Sequence, residues 1–285
     1  MTTETRYLDR PGGRLAYTLW APTTDALAPD DAPLVVLSPG MGDLRGVFRD
    51  VVGPLSEQGF RVVTVDLRGH GESGTTFAAY DLPSIADDLE ALLAHLGGPA
   101  DLVGHSVSAG AAAVVAARRP ELVRSLVMVS PHLTAGGGAF ARAMARAMTQ
   151  AIRRPLGTAL WTAYYRSLHK GRHATWFAEH VAAVRASMRD GAHLVAFGRL
   201  ARALVTTHTP IPLDRVVAPT LVVHGALDPE FGDPAAELAT AVAGLEASAA
   251  SVYGLLVPEA GHYPHTQRTD VVVPALLAHL ARTHA

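Results

Sequence analysis

The sequence predicts an α/β fold in which helices cover both faces of a mostly parallel central sheet, with an all-helical cap inserted into the chain. Apolar strand patterns alternate with helix patterns from residue 34 to residue 129, which is typical of parallel strands joined by right-handed crossovers. The alternation stops at Pro131 and resumes after Pro219, with helix patterns alone between them. In such a sheet, ligands gather at the carboxyl ends of the strands.

The chain begins with a predicted hairpin. Residues alternate around Tyr7 and again from Arg14 to Trp20, and Pro11-Gly12-Gly13 between them supplies turn residues. Later continuous apolar runs predict strands that are buried on both faces, and apolar stripes of 3.6-residue period predict helices. The predicted strands cover residues 34–37, 60–65, 102–105, 126–129, 220–224 and 252–257, and the predicted helices 46–58, 83–96, 109–119, 234–245 and 270–282.

The helical insertion divides the predicted domains. Residues 1–132 and 211–285 should form the sheet domain, and residues 133–210 a cap, or lid, over the carboxyl edge of the sheet. The predicted cap helices cover residues 139–154, 160–168, 175–189 and 194–205.

Composition excludes several classes of function. The 285 residues include no cysteine, so disulfides, thiolate nucleophiles and cysteine metal sites are excluded. A formal net charge of -2 gives no support to nucleic-acid binding. No stretch approaches the roughly 18 apolar residues of a membrane span, so we expect a soluble, cytoplasmic protein. No metal-ligand spacing or phosphate-binding glycine loop occurs, so we expect no metal and no cofactor.

The stretch from Asp101 to Gly110 has the pattern of a strand, a tight turn and a helix, with Ser106 at the apex. A serine hydroxyl on such a turn stands clear of the sheet, and the first amides of the helix face whatever it attacks. Gly104 allows the crowded backbone, whereas Ser108 replaces the second glycine of the Gly-x-Ser-x-Gly pattern. Ser106 is therefore the candidate nucleophile, and the alternative is a polar helix N-terminus.

A serine nucleophile needs a base, an acid that orients the base, and donors for an oxyanion. Candidates for the acid and the base each follow a predicted strand: Asp228 comes after residues 220–224, and His262 comes after residues 252–257. The glycines of residues 38–42, after the strand at 34–37, suit a loop whose amides approach a substrate. Three other histidines are alternatives as the base, namely His265, His279 and His284.

The order serine, aspartate, histidine is the one expected of the α/β-hydrolase arrangement. The chain resembles the α/β-hydrolase superfamily over nearly its whole length outside the predicted helical insertion. The resemblance implies that Ser106 is the nucleophile, His262 the base and Asp228 the acid. It also implies that the amides of Met41 and Val107 form the oxyanion hole. The segments that carry the resemblance are residues 34–42, 66–73, 104–109, 225–229 and 261–265.

Two positions depart from the family pattern. Pro39 stands where the oxyanion loop usually has histidine, and Ser108 stands where the elbow usually has glycine. Residues 105–122 are also similar to the branch of this superfamily that contains the plant strigolactone and karrikin receptors and a bacterial stress regulator. That branch uses the same triad for signalling.

The resemblance implies a serine hydrolase that cleaves a carboxylic ester, lactone or thioester of a small molecule through an acyl-enzyme. The alternatives are a C-C hydrolase or lyase on the same triad, and a ligand receptor with incidental turnover. Candidate substrate contacts are Gly40, His105, Trp161 and Tyr165. His105 could instead serve local hydrogen bonds, and the two aromatic side chains could form the core of the cap.

Charge is unevenly divided along the chain. Residues 133–210 hold eleven Lys or Arg against two acids, and the rest holds 13 against 24, which gives about +9 and -11. The basic segment is either a solvated surface that complements an acidic core or a surface that steers an anionic substrate or an acidic carrier domain. The sequence leaves a monomer and a homodimer open.

Overall fold

The computed structural model of the chain describes residues 4–24, 31–133, 156–207 and 209–284. The strands in these ranges are β1 (Thr5–Arg10), β2 (Gly13–Trp20), β3 (Leu34–Ser38), β4 (Arg61–Val65), β5 (Ala100–His105), β6 (Val123–Val129), β7 (Thr220–Gly225) and β8 (Val252–Val257). They form one sheet in the order β1-β2-β4-β3-β5-β6-β7-β8. The pairs β1-β2 and β2-β4 are antiparallel, and the other pairs are parallel. The predicted α/β fold class is confirmed.

The α-helices of the described residues are α1 (Arg49–Glu57), α2 (Leu82–His95), α3 (Val107–Arg118), α4 (Gly157–Leu168), α5 (Phe177–Arg189), α6 (Gly191–Thr206), α7 (Pro234–Glu246), α8 (Pro264–Gln267) and α9 (Thr269–Thr283). Side-chain caps fix several of their first turns. Asp81 accepts a 2.9 Å hydrogen bond from the Ser84 amide, and α2 therefore begins at Leu82, one residue before the predicted start. None of these helices is long and apolar enough to cross a membrane.

The core lies in two layers, one on each face of the sheet. Strand β3 shows why its sequence is an unbroken apolar run. Leu34 and Val36 pack in the layer that holds α2, α3 and α7, whereas Val35 and Leu37 pack in the layer that holds α1 and α9. All four side chains are buried, so β3 has no solvent face that would need polar residues.

Helices α4, α5 and α6 lie between β6 and β7 in the chain, and we call them the helical insertion. They correspond to the helices predicted over residues 160–168, 175–189 and 194–205. Helix α6 begins three residues earlier than predicted because Asp190 accepts a hydrogen bond from the Ala192 amide at 2.9 Å. The helix predicted over residues 139–154 lies outside the described residues, and the domain boundaries at 132 and 211 stay predictions.

Candidate active site

Ser106 occupies a strained turn between strand β5 and helix α3. Its backbone has φ 55° and ψ -120°, a conformation that costs a non-glycine residue about 1–3 kcal/mol. The Ser106 amide donates to the Val129 carbonyl at 2.9 Å, which holds the turn against the end of β6. A Cβ atom on Gly104 would lie 2.4 Å from the Ser108 carbonyl oxygen, so strand and helix approach too closely for any side chain there. This is the sharp elbow that the sequence predicts.

Asp228 and His262 meet at the carboxyl edge of the sheet, after β7 and β8 respectively. His262 Nδ1 lies 2.7 Å from Asp228 Oδ2, and both side chains are buried. Because a carboxylate can only accept, Nδ1 carries the proton and Nε2 faces away from Asp228. Burial alone would raise the pKa of Asp228, but the His262 charge and hydrogen bond outweigh it and lower that pKa.

His105, which precedes Ser106, joins the elbow to the loop that carries His262. Its Nε2 donates to the His262 carbonyl at 2.9 Å, and the two imidazole rings lie 4.9 Å apart. Burial lowers the pKa of His105 to about 3, so its ring is neutral at physiological pH. Among the described residues, no hydrogen bond joins the Ser106 hydroxyl to His262, although catalytic contacts in ligand-free sites are often long.

The loop at residues 38–42, which we call the oxyanion loop, lies directly against the elbow. A Cβ atom on Gly40 would lie 2.9 Å from His105 Nδ1 and 3.1 Å from Ser106 Cβ, so only glycine fits there. The Gly42 amide donates to His70 Nε2 at 2.9 Å, while His70 Nδ1 donates to the Arg68 carbonyl at the same distance. Burial lowers the pKa of His70 to about 4, which keeps Nε2 an acceptor and holds the loop in place.

The two departures from the family pattern contact each other. The Ser108 hydroxyl donates to the Pro39 carbonyl at 2.5 Å, and the Ser38 hydroxyl donates to Ser108 Oγ at 3.0 Å. All three residues are buried. Ser108 therefore ties helix α3 to the oxyanion loop. The amide of Val107 begins α3 and has no partner within the helix, as expected of a helix N-terminus.

One face of helix α4 in the helical insertion contacts two loops of the site, the one at Gly42 and Asp43 and the one at Glu230. Trp161 Nε1 donates to the Gly42 carbonyl at 3.0 Å. Tyr164 Oη donates to Glu230 Oε1 at 2.8 Å, and Tyr165 Oη donates to Asp43 Oδ2 at 3.2 Å. The spacing of three and four residues places these side chains on the same side of the helix.

Three of the predicted substrate contacts are buried and already have partners in the protein. His105 and Tyr165 have no exposed surface, and Trp161 is only 4% exposed. Each already bonds to protein atoms around the site. They therefore support the loops around the site, and their direct contact with substrate stays a prediction. Gly40 lies directly against the elbow, and its contact with substrate likewise stays a prediction.

The sequence did not reveal a second histidine-carboxylate pair, between the helical insertion and the oxyanion loop. His180 Nε2, on α5, lies 2.6 Å from Asp43 Oδ1, and both groups are buried. Burial would raise the pKa of Asp43, but the charge and hydrogen bond of His180, together with the hydrogen bond from the Leu44 amide, outweigh it and lower that pKa. Nothing in the sequence separates Asp43 from an ordinary loop aspartate, since its partner lies 137 residues away.

The other candidate bases lie in different surroundings. His265 is buried between Phe48 and His105, with ring distances of 5.1 Å and 4.9 Å, and neither ring nitrogen has a partner in the described residues. His284 Nε2 lies 2.7 Å from Asp101 Oδ2, near the amino end of β5 and thus at the opposite edge of the sheet. His279 is buried on α9. The described residues contain no group of three or more histidine or acidic side chains that could hold a metal ion.

Comparisons with known proteins identify the family of the chain. A profile of the alpha/beta hydrolase family matches residues 35–275. The chain is 38% identical over 98 residues to 2-(acetamidomethylene)succinate hydrolase of Mesorhizobium japonicum, a match that covers 34% of this chain and 35% of that protein. It is 38% identical over 120 residues to the sn-1-specific diacylglycerol lipase ABHD11 of Mus musculus, which covers 39% of this chain and 38% of that protein. The chain thus matches little more than a third of the length of these curated relatives.

Solved structures extend the likeness to the whole fold. An esterase from Thermogutta terrifontis superposes with a TM-score of 0.77 at 21% identity, and the superposition covers 100% of both chains. At that identity the likeness concerns the fold alone. Because the family profile covers most of the chain, including Ser106, Asp228 and His262, the chain belongs to the alpha/beta hydrolase family.

Proposed function

We propose that this hydrolase cleaves a carboxylic ester, lactone or thioester of a small molecule with Ser106, His262 and Asp228 as its triad. The observation that carries the proposal is the 2.7 Å contact between His262 and Asp228 at the same sheet edge as the strained Ser106. Relatives named as diacylglycerol lipase, monoacylglycerol lipase and esterase/perhydrolase support an ester bond as the target.

Each group has a defined role in this reaction. Ser106 Oγ attacks the carbonyl carbon while His262 Nε2 takes its proton. The backbone amides of Met41 and Val107 stabilise the oxyanion, and the imidazolium then protonates the leaving group. Asp228 holds the imidazole in the correct tautomer. Water releases the acyl group from Ser106 in the second half of the cycle, with His262 again as the base.

Replacement of the nucleophile tests this function. We expect Ser106→Ala to lower kcat for p-nitrophenyl butyrate by a factor on the order of 10⁴ to 10⁶, as in other triads. The matched control is Ser251→Ala, which removes a hydroxyl just before β8, at the opposite edge of the sheet. Circular dichroism should show the same fold for both variants. Activity above about a tenth of wild type in Ser106→Ala would exclude Ser106 as the nucleophile.

Two other functions can use the same triad. Formation of an acyl-enzyme on Ser106 distinguishes the ester hydrolase from a C-C hydrolase or lyase, and a ligand receptor would retain product after one cycle. Mass spectrometry of a rapidly quenched reaction detects an acyl group on Ser106, and the steady-state rate after the first turnover separates an enzyme from a receptor. Composition alone predicts an anionic substrate or an acidic carrier domain, and a cytoplasmic location. It leaves a monomer and a homodimer open.

A further inference from the structure

Glu230 places a second carboxylate beside the imidazole of His262. It follows Asp228 by two residues, and its Oε2 lies 3.4 Å from His262 Nε2, the nitrogen opposite the Asp228 contact. Its other oxygen accepts the 2.8 Å hydrogen bond from Tyr164 Oη on the helical insertion. The Glu230 side chain is 20% exposed, whereas that of His262 is 2% exposed. A group that enters the site can therefore reach Glu230.

The position of Glu230 conflicts with the role of Nε2 in the proposed reaction. Nε2 must accept the Ser106 proton and then donate it to the leaving group, so it must be neutral at the start. Burial disfavours the charged imidazole, but Glu230 and Asp228 together outweigh burial and raise the pKa of His262 to about 9. The other titratable groups around the ring carry no negative charge at neutral pH: His105, His132, His169, His224, His265 and Tyr263.

We propose that Glu230 is a specificity-determining residue whose carboxylate accepts a hydrogen bond from a donor group, such as a hydroxyl, on the alcohol part of the ester. This inference rests on the proposed function. The leaving oxygen must come within hydrogen-bond distance of Nε2 to receive its proton, and an atom 3.4 Å from Nε2 therefore lies beside the leaving group. A donor one or two carbon atoms from the leaving oxygen would form a hydrogen bond with Glu230. The Glu230 carboxylate would then no longer pair with Nε2.

Tyr164 fits this role because it anchors the carboxylate. With Oε1 held by the Tyr164 hydroxyl, Glu230 stays at the site after its contact with Nε2 is broken. An alcohol part without a donor would leave Glu230 paired with the imidazolium, and an anionic alcohol part would be repelled. The same residue thus favours one class of leaving group and disfavours two others.

A matched pair of esters tests the inference. The probes are 2-hydroxyethyl butyrate and propyl butyrate, which differ by a hydroxyl in place of a methyl group. For the wild type we expect kcat/KM to favour the hydroxyethyl ester by at least about tenfold, the size of a hydrogen bond to a charged group. In Glu230→Gln the preference should fall to roughly threefold or less, because the amide oxygen carries no charge.

The pH profile gives a second readout that a merely structural role would not change. In Glu230→Gln the rise of kcat/KM with pH should move to lower pH, because the carboxylate that most raises the pKa of His262 is gone. The control Glu246→Gln removes an exposed carboxylate at the end of α7 and should change neither readout. If Glu230→Gln does not fold, Tyr164→Phe releases the same carboxylate and should also lower the preference.

The outcomes separate this inference from the proposed function. An inactive Ser106→Ala variant together with an unchanged ester preference and pH profile in Glu230→Gln would overturn the role of Glu230 alone. A wild type that does not prefer the hydroxyethyl ester would do the same. An active Ser106→Ala variant would instead overturn the proposed triad.

Discussion

His262 is the residue whose protonation state determines whether the proposed reaction can start. Its ring lies between the carboxylates of Asp228 and Glu230, at 2.7 Å and 3.4 Å from its two nitrogens. One carboxylate is needed to hold the tautomer, and the second adds charge that stabilises the inactive imidazolium. We therefore expect the pair to displace the working range of the proposed base to higher pH.

The pH dependence of the wild type tests this arrangement. Because the pKa of His262 in the folded protein is raised to about 9, the ring is charged below that pH and becomes a base only above it. We expect kcat/KM for p-nitrophenyl butyrate to rise with pH through about 9, since this constant reports the free enzyme. The measurement is kcat/KM between about pH 6 and pH 10, with each buffer matched in ionic strength. A plateau already reached at pH 7 would contradict it.

The sequence predicted Asp228 and His262 because the acid and the base of such a site must follow particular strands. It could not predict Glu230 or Asp43 in the same way. A glutamate two residues after the acid, next to Pro229, has the pattern of an ordinary turn, and only the fold brings it to Nε2. Asp43 likewise depends on His180, and contacts between distant segments leave no trace in local spacing.

At the scale of elements, Ser108 links helix α3 to the oxyanion loop. The pattern of the family favours glycine at this position because strand and helix approach closely there. In this chain the hydroxyl bonds to the Pro39 carbonyl, so serine supplies a contact that secures a loop without the usual histidine. The two departures are one structural feature, which explains how both can occur in a single chain.

Replacement of Ser108 by glycine restores the usual pattern and should nevertheless impair the protein. We expect Ser108→Gly to lower kcat by about tenfold and the free energy of unfolding by about 1–3 kcal/mol, because the buried Pro39 carbonyl loses its donor. Ester hydrolysis and denaturant unfolding measure the two effects. Ser38→Ala is the matched control, since it keeps the Ser108-Pro39 bond and should have a smaller effect. A Ser108→Gly variant as active as wild type would show that the loop needs no such tie.

Element types were more predictable than element contacts. Apolar runs and periodicity predicted the strands of the described sheet, and the helices around it, to within a few residues. Burial on one or both faces determines these patterns. The direction in which α4 turns its aromatic face was not predictable. Trp161 and Tyr165 could face a ligand, a loop or the insertion's own core with the same spacing, and tertiary packing directs them to Gly42 and Asp43.

At the scale of the whole molecule, the helical insertion is joined to the sheet domain by polar contacts on several sides. Arg172 pairs with Glu259 at 3.0 Å, and Arg199 donates to the carbonyls of Phe77 and Ala78. In the opposite direction, Arg49 of the sheet domain pairs with Glu179 at 3.0 Å. Part of the basic charge that the sequence assigns to residues 133–210 therefore serves this junction.

The salt dependence of the reaction separates a structural role of this charge from steering of an anionic substrate. We expect kcat/KM for an ester with a carboxylate on its acyl chain and for its neutral isostere to respond alike to salt, because Arg172 and Arg199 already bind groups of the sheet domain. The range is about 20 to 500 mM salt, over which the screening length falls from about 20 Å to a few Å. Esters of the same alcohol keep any effect of Glu230 constant. A steeper fall for the anionic ester would instead indicate that exposed cations such as Arg166, Lys170 and Arg185 attract it, since only long-range attraction is removed by screening.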